Sequence, residues 1–338
     1  MNLKQVNSMK NFNINISEQF TSFSVKLPNE TKVNTHIYAD YVELICLFSN
    51  DFVSLSDVID RIQGSGEEFI LPNPTDGNIG QIDTQQYDSA EKFVNIIFDY
   101  IEERKTIYQS VYPFETDSEK GIKLIDKDIL TEQQKLYLYL IVASSLKSFK
   151  KLKPEITSEF EALSESVLKL YLPSQAKVIN FVNNNVYKGN TKTKIRQLAN
   201  DINLECNDEE IEQISDYNSK EEGLDIVAWI PFEDKNPNTI VILGQCACGK
   251  DWFSKQNETF RYENYLKYYK QPFIHSVFMP YDLKNTNGRF GLSKDITTNH
   301  MIFERRRILN LANNDIFDRL KYSKQIVEKC LEYQEDII

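Results

Sequence analysis

The sequence predicts an α/β protein, of the α+β kind, in which a mostly helical N-terminal half precedes a domain with a central mixed sheet flanked by helices. Apolar residues recur at helical spacing through much of the chain before residue 150. Two later apolar runs, "GLDIVAWIPF" (223–232) and "TIVILGQC" (239–246), have strand length, and a third, "FIHSVFMP" (273–280), follows a helical segment. Helices interspersed with strands in this way favour helices on both faces of one sheet.

The N-terminal half contains four predicted helices. "ADYVELICLFSN" (39–50) and "SLSDVIDRIQG" (54–64) predict two helices joined by a turn, the second beginning at a serine cap and ending at Gly64. A long helix is predicted from about 89 to 111 and another within 131–149. The first helices fit either a small winged-helix-like module or ordinary bundle packing, and their spacing favours no particular function.

A basic link that ends in proline, "KKLKP" (150–154), marks the predicted domain boundary, which gives domains 1–150 and 151–338. In the second domain, helices are predicted at 155–173, 191–202, about 257–269 and about 314–333. Within "MIFERRRILNLA" (301–312) we expect Arg305, Arg306 and Arg307 to alternate in a strand-like run, with one arginine available to phosphate.

The net charge of −11 argues against a polyanionic partner for the chain as a whole. The basic residues are nevertheless concentrated in the C-terminal half. Residues 186–200 contain four basic residues and no acid, and residues 245–308 contain eleven basic residues against six acidic ones. One face of this half could therefore contact phosphate, whereas the acidic N-terminal half is expected to bind a protein partner or a second copy of the chain.

Several classes of protein are disfavoured by what the sequence lacks. The first thirty residues do not resemble a signal peptide and no run of about eighteen apolar residues occurs, so we expect a cytoplasmic protein without membrane contact. No Walker loop or Rossmann glycine pattern is present, and His275 and His300 have no recognisable Ser or Cys nucleophile. Trp229 and Trp252 are expected to belong to the core.

The five cysteines, at positions 46, 206, 246, 248 and 330, form an odd and scattered set that favours reduced thiols. "CAC" (246–248) has no second Cys or His pair at metal-ligand spacing. We therefore interpret Cys246 and Cys248 as small buried hydrophobic residues and not as zinc ligands.

The segment "EDKNPN" (233–238) predicts a hairpin loop, so the two strands on either side of it should pair antiparallel. A loop centred near residue 235 or 236 sets Asp225 opposite Gln245 or Cys246. Directly opposed side chains share one face of a sheet, with Cβ atoms roughly 5 Å apart. Because both strands are otherwise apolar, a carboxylate at this place needs a partner or a cation.

The helix with "FE" (160–161), "GLDIVAW" (223–229) and "GQCACGK" (244–250) occur in an order that resembles the PD-(D/E)xK nuclease superfamily, within its restriction-endonuclease-like, Mrr-like branch. The resemblance covers roughly residues 155–285. It implies a helix, a three-stranded antiparallel stretch, a helix and a further strand, and cleavage of phosphodiesters with Mg²⁺ or Mn²⁺.

Carried over by position, the resemblance makes Asp225 the main metal ligand and puts Gln245 in the slot of the second acid. It implies that the Gln245 amide oxygen and the Cys246 carbonyl are neutral ligands and that Glu161 acts through water. The family lysine usually follows the second acid by two residues, where this chain has Ala247. Lys250 would then orient the attacking water, with Lys255 as the substitute.

Two classes of function follow from this resemblance. The first is a Mg²⁺-dependent endonuclease that hydrolyses DNA, of the kind found in restriction and anti-phage defence, and the same chemistry would permit RNA as substrate. The second is an inactive adaptor that keeps the nuclease fold to bind nucleic acid or a protein, for which Ala247 is the main argument.

Overall fold

The computed structural model describes residues 18–19, 35–49, 52–64, 82–117, 121–183, 186–215, 222–249, 252–283 and 300–334. The helices within these ranges are α1 Thr35–Phe48, α2 Leu55–Gly64, α3 Ile82–Tyr108, α4 Glu132–Ser144, α5 Lys153–Tyr171, α6 Thr191–Asp201, α7 Asp208–Glu212, α8 Trp252–Lys255, α9 Tyr262–Tyr265, α10 Arg305–Leu311 and α11 Ser323–Glu332. None of the helices in the described part of the chain combines the length and the apolar character needed to cross a bilayer.

Ten strands form three sheets. The strands are β1 Val53–Ser54, β2 Phe114–Thr116, β3 Gly121–Leu124, β4 Lys177–Asn180, β5 Glu205–Cys206, β6 Ile226–Trp229, β7 Val241–Cys246, β8 Leu266–Lys267, β9 Ile274–Phe278 and β10 Met301–Phe303 within the described ranges. The largest sheet has the order β10-β9-β7-β6-β4, a small sheet has the order β1-β3-β2, and β5 pairs with β8.

The chain divides into two compact units. The first contains residues 1–156, 281–291 and 321–338, and the second contains residues 157–280 and 292–320. The change of unit at 156–157 lies a few residues beyond the predicted boundary at 150. The division also assigns α11 to the first unit, although the sequence placed this helix in the C-terminal domain.

The first unit is mostly helical, as predicted, and adds a small antiparallel sheet that the sequence did not predict. Strand β1 follows α1, and the hairpin β2–β3 follows α3. Strand β3 lies between β1 and β2, antiparallel to both. Among the described residues, the first three helices of this unit are therefore followed by a hairpin, and one short strand lies between the first two helices.

A fully buried arginine organises the core of this unit. Arg104 on α3 contacts Asp40 at 2.8 Å and Glu43 at 2.7 Å, and the hydroxyls of Tyr112 and Tyr137 donate to Glu43 at 2.8 and 3.1 Å. Asp282 adds a third carboxylate, 3.7 Å from Arg104 Nε. The attraction of Asp40 and Glu43 keeps the pKa of Arg104 well above its ordinary value, so the charge is retained despite burial.

The second unit is built on the five-stranded mixed sheet. β4, β6 and β7 pair antiparallel, whereas β9 is parallel to β7 and β10 is parallel to β9. Helix α5 precedes the antiparallel strands, and α8 and α9 lie between β7 and β9 in sequence. This arrangement confirms the predicted α/β class and the antiparallel pairing of the two runs on either side of "EDKNPN".

The helix α6 covers one face of this sheet. Ile195 and Leu198 of α6 share a buried cluster with Val227 of β6 and Leu243 of β7. Trp229 is in the same cluster, and Trp252 is also buried, as expected for core residues.

Three predicted elements of the C-terminal half are wrong in type or extent. Residues 305–307 begin the helix α10 and do not form a strand, because the Glu304 carboxylate accepts the backbone N–H groups of Arg306 and Arg307 and so caps a helix. The expected helix at 257–269 is a 3-10 turn, Glu258–Arg261, followed by the short α9 and β8. The last helix begins at Ser323, not near 314.

Candidate functional site

The hairpin of β6 and β7 brings Asp225 and Gln245 together. Ile226 pairs with Gly244 and Trp229 with Val241, and one further step in this register sets Asp225 opposite Gln245. The Gln245 side chain donates from Nε2 to Asp225 Oδ2 at 2.7 Å. Asp225 Oδ2 also accepts the backbone N–H of Cys246 at 2.6 Å. The two side chains are therefore neighbours on one face, as the loop length predicts.

A left-handed turn leads the chain into β6. Glu222 has φ +50° and Gly223 has φ +82°. A Cβ at Gly223 would lie 2.5 Å from Glu258 Cβ, so only glycine fits this position without displacing its neighbour. The Glu222 carboxylate accepts from Arg261 at 3.1 Å and from the Tyr265 hydroxyl at 3.3 Å. The turn that precedes Asp225 is thus fixed by the hydrogen bonds of Glu222 and by the need for glycine at position 223.

In the Gln245 amide, the nitrogen donates hydrogen bonds, whereas the oxygen is a buried acceptor. Its Nε2 contacts Asp225 Oδ2 and, at 3.3 Å, the carbonyl of Cys246. Gln245 is 4% exposed, and its Oε1 has no hydrogen-bond partner among the described residues. A buried amide oxygen that accepts no hydrogen bond lowers the stability of the folded chain. The Gln245 oxygen therefore favours a ligand that brings a hydrogen-bond donor or a cation to it. The Cys246 carbonyl, expected as a metal ligand, accepts from the amide nitrogen of Gln245 at 3.3 Å.

Glu161 reaches the same end of the sheet through the residues that follow β4. Asn183 donates from Nδ2 to Glu161 Oε2 at 3.3 Å. Phe181, two residues earlier, donates its backbone N–H to the Asp225 carbonyl at 2.7 Å. The segment Phe181–Asn183 therefore contacts Glu161 of α5 at one end and Asp225 of β6 at the other.

The two cysteines of "CAC" are buried beside these acids. Burial raises the pKa of the Cys246 thiol, and the negative charges of Asp225 and Glu161 raise it further. The pKa of Cys248 is raised by the same burial and by Glu161, whereas Lys255 opposes the shift. Neither thiol becomes a thiolate near neutral pH, which supports the prediction that both behave as small buried residues.

Of the two lysines that the sequence singles out, the structure describes only Lys255. Lys250 lies outside the described residues. Ala247, in the position of the family lysine, is fully buried, and its backbone N–H donates to the Phe278 carbonyl at 2.8 Å. Lys255 at the end of α8 is half-buried and close enough to influence Cys248.

The structure gives His275 a hydroxyl neighbour that the sequence did not indicate. His275 Nδ1 shares a hydrogen bond of 2.8 Å with Thr259 Oγ1, and Nε2 lies 3.0 Å from Glu263 Oε1. Thr259 is fully buried, so its hydroxyl is not accessible to a substrate. The contacts hold β9 against the 3-10 turn and do not form a hydrolytic triad.

The side chains at this end of the sheet carry oxygen atoms of the kind that could hold a hard divalent cation. Mg²⁺ prefers carboxylate and amide oxygens, which Asp225, Glu161 and Gln245 supply. The buried Gln245 Oε1 is the observation that favours such a ligand, since its partner is not found among the described residues. No group of three or more His, Cys, Asp or Glu side chains in those residues is arranged to hold a metal ion. A site here must therefore use the amide, water or substrate oxygens as well.

Comparison of the chain with protein-family models, with curated proteins and with solved structures gave no match.

Proposed function

We propose that the second unit is a Mg²⁺-dependent endonuclease that hydrolyses phosphodiester bonds of DNA. The single observation that carries the proposal is the pairing of Asp225 with Gln245, with the amide oxygen of Gln245 buried and without a partner in the described chain. A carboxylate and an unsatisfied amide oxygen at the end of two central strands form a set of hard oxygen ligands.

The order of elements supports the same proposal. The helix that carries Glu161 is followed by β4, then by α6, β5 and α7, and then by β6, β7, two short helices and the parallel strand β9. Apart from the inserted segment α6, β5 and α7, this is the order that the resemblance to PD-(D/E)xK nucleases implies. Asp225 precedes the second antiparallel strand, and Gln245 lies near the end of the third.

Each residue has a role that its position permits. Asp225 and the Gln245 amide oxygen would hold the ion directly, and Glu161 would reach it through water. When bound, the ion supplies positive charge to the phosphate and lowers the pKa of a water. The Asp225–Cys246 hydrogen bond fixes the carboxylate relative to β7, whereas the Gln245 amide, whose nitrogen faces Asp225, must rotate to turn its oxygen towards the same ion.

The direct test is cleavage of supercoiled plasmid DNA by the purified full chain with Mg²⁺ or Mn²⁺. Asp225→Ala should abolish nicking and linearisation, a loss of at least about 100-fold. Glu209→Ala is the matched control, since Glu209 is an exposed carboxylate of the same unit. Single-stranded DNA and RNA, tested in parallel, identify the preferred nucleic acid. Intact DNA with every divalent ion, or equal activity of the Asp225 variant, would contradict the proposal.

A non-catalytic adaptor is the second candidate, and Ala247 favours it. The residue in the position of the family lysine is fully buried and has no charge to offer. An adaptor would bind nucleic acid or a partner protein through the same fold without cutting. Retained DNA binding in a gel-shift experiment, with no cleavage across several divalent ions, would support the adaptor.

The cellular setting is part of the proposal. A nuclease joined to a mostly helical unit fits restriction or anti-phage defence in the cytoplasm, with the helical unit recognising a protein partner or a second copy of the chain. The charge of −11 for the whole chain supports a protein contact over a DNA contact for that unit. Light scattering of the purified chain, with and without DNA, tests self-association.

A further inference from the structure

The face of the sheet that carries Asp225 and Gln245 is the face covered by α6. Val227 and Leu243 lie two residues further along the same strands, and alternate residues of a strand share a face. Both pack with Ile195 and Leu198 of α6 in one buried cluster. The Gln245 side chain consequently points towards the side of the sheet on which α6 lies, and the Asp225 carboxylate bonds to it.

Lys194 of α6 extends to the residues that follow β4. Its Nζ donates to the carbonyl of Phe181 at 3.3 Å and to that of Val182 at 3.1 Å. Phe181 is the residue whose N–H donates to the Asp225 carbonyl. The Lys194 ammonium and the main chain of Asp225 therefore bond to the same residue, Phe181, directly after β4.

The three residues after β4 contact Asp225, Lys194 and Glu161. Phe181 donates its N–H to the backbone carbonyl of Asp225, Phe181 and Val182 accept from the Lys194 ammonium through their carbonyls, and Asn183 donates to the Glu161 carboxylate. One ammonium and one carboxylate are therefore bound by three consecutive residues, the first of which also bonds to the main chain of Asp225. Lys194 is half-buried, so water screens its charge less than that of an exposed lysine.

We infer that Lys194 is the cationic residue of the Asp225–Gln245 site, acting on the scissile phosphate from α6 in place of the lysine that Ala247 does not provide. The inference rests on the proposed nuclease function. The ammonium would face the negative charge that develops on the phosphate during attack, where a fixed positive charge lowers the barrier. It comes from a helix that lies between β4 and β6 in sequence, not from the strand β7 that carries Gln245.

The test compares Lys194→Gln with Lys188→Gln, which removes the same charge from an exposed position in the same basic segment. Lys194→Gln should lower the cleavage rate at least about 100-fold, and Lys194→Arg should retain part of it. Mn²⁺ affinity, measured by calorimetry, should be unchanged or tighter, because a cation next to the ion has been removed. Binding of a DNA duplex in Ca²⁺ should weaken several-fold. Lys188→Gln should match the wild type in all three measurements.

A purely structural lysine would give a different set of results. Loss of a purely structural Lys194 would lower the thermal midpoint and weaken Mn²⁺ binding together, because the ammonium would no longer bond to the carbonyls after β4. Cleavage by Lys194→Gln at the wild-type rate would overturn the inference and leave the nuclease proposal intact, and Lys255→Gln would then identify the alternative cation. If the wild type does not cleave, the nuclease proposal fails, and DNA binding by Lys194→Gln at the wild-type affinity would overturn the inference separately.

Discussion

Asp225 and Cys246 are joined by a hydrogen bond of 2.6 Å between the carboxylate Oδ2 and the backbone N–H, so the proposed metal ligand also closes the end of the β6–β7 hairpin. Removal of this carboxylate therefore has a structural cost of about 1–3 kcal/mol in addition to any chemical one. Asp225→Asn, whose carbonyl oxygen can still accept from Cys246, should be the more stable variant. Comparison of the asparagine and alanine variants separates the two roles of the residue.

Gln245→Glu should make the stability of the chain depend on a divalent ion. The substitution replaces an amide donor, 2.7 Å from Asp225 Oδ2, with a second carboxylate. Two carboxylates this close repel each other, so the thermal midpoint in EDTA should fall by a few degrees. Mg²⁺ or Mn²⁺ should restore it, because the ion binds the folded form.

Gln245→Leu is the control for this experiment, because it removes the amide without adding charge. Its thermal midpoint should respond to Mg²⁺ less than that of Gln245→Glu. An equal response of the two variants would show that the ion does not bind between positions 225 and 245.

Ala247→Lys should destabilise the chain and should not increase cleavage. Ala247 is fully buried, so a lysine there places an ammonium in the core. Ala247→Met adds a side chain of similar length without charge. The lysine variant should be less stable than the methionine variant by about 2 kcal/mol or more in urea unfolding. Faster cleavage by Ala247→Lys would instead indicate that position 247 opens to the substrate.

His300 should make the stability of the chain fall between pH 6.5 and 4. Burial, with a smaller contribution from His275, lowers the pKa of His300 from 6.5 to about 4. In this window the unfolded chain binds the proton more readily than the folded chain, so the free energy of unfolding decreases as pH falls. His300 is only partly buried, so the effect is moderate.

Urea unfolding of the wild type and of His300→Gln at pH 7.5 and 5 measures this contribution. Carboxylates titrate alike in both proteins, so the variant should lose less stability on acidification. Equal losses in the two proteins would contradict the assignment.

Arg104→Met should be among the most destabilising single changes in the first unit. The substitution leaves Asp40 and Glu43 buried without their cation, which costs about 3–5 kcal/mol. Lys105→Met is the adjacent control, because Lys105 is exposed and bonds only to Thr116 in the described chain; it should cost less than about 1 kcal/mol. Urea unfolding followed by the fluorescence of both tryptophans and by circular dichroism would separate the response of the first unit from that of the second.

The hairpin register was predictable because it depends on residues that are close together in the sequence. The loop "EDKNPN" fixes where the strands turn, and the two-residue period of a strand fixes which side chains share a face. Asp225 and Gln245 follow from these two facts. Glu161 was found through resemblance alone, since an acid on an amphipathic helix carries no signal of its own.

Lys194 could not be assigned from the sequence, although it lies in the basic segment 186–200 that the charge pattern singled out. Its approach to Phe181 depends on how α6 packs on the sheet, which is a long-range property. The small sheet of the first unit was missed because its strands have two to four residues and alternate weakly. The helix α10 was mistaken for a strand because a short run does not separate the two periods.

The division of the chain into units has a consequence for the order of folding during synthesis. Residues 157–280 and 292–320 leave the ribosome before residues 321–338, which complete the first unit. Every residue of the second unit is therefore synthesised before α11, which the first unit needs to complete its core. Until Tyr333 packs against Phe48, that unit exposes apolar surface to chaperones and proteases of the nascent chain.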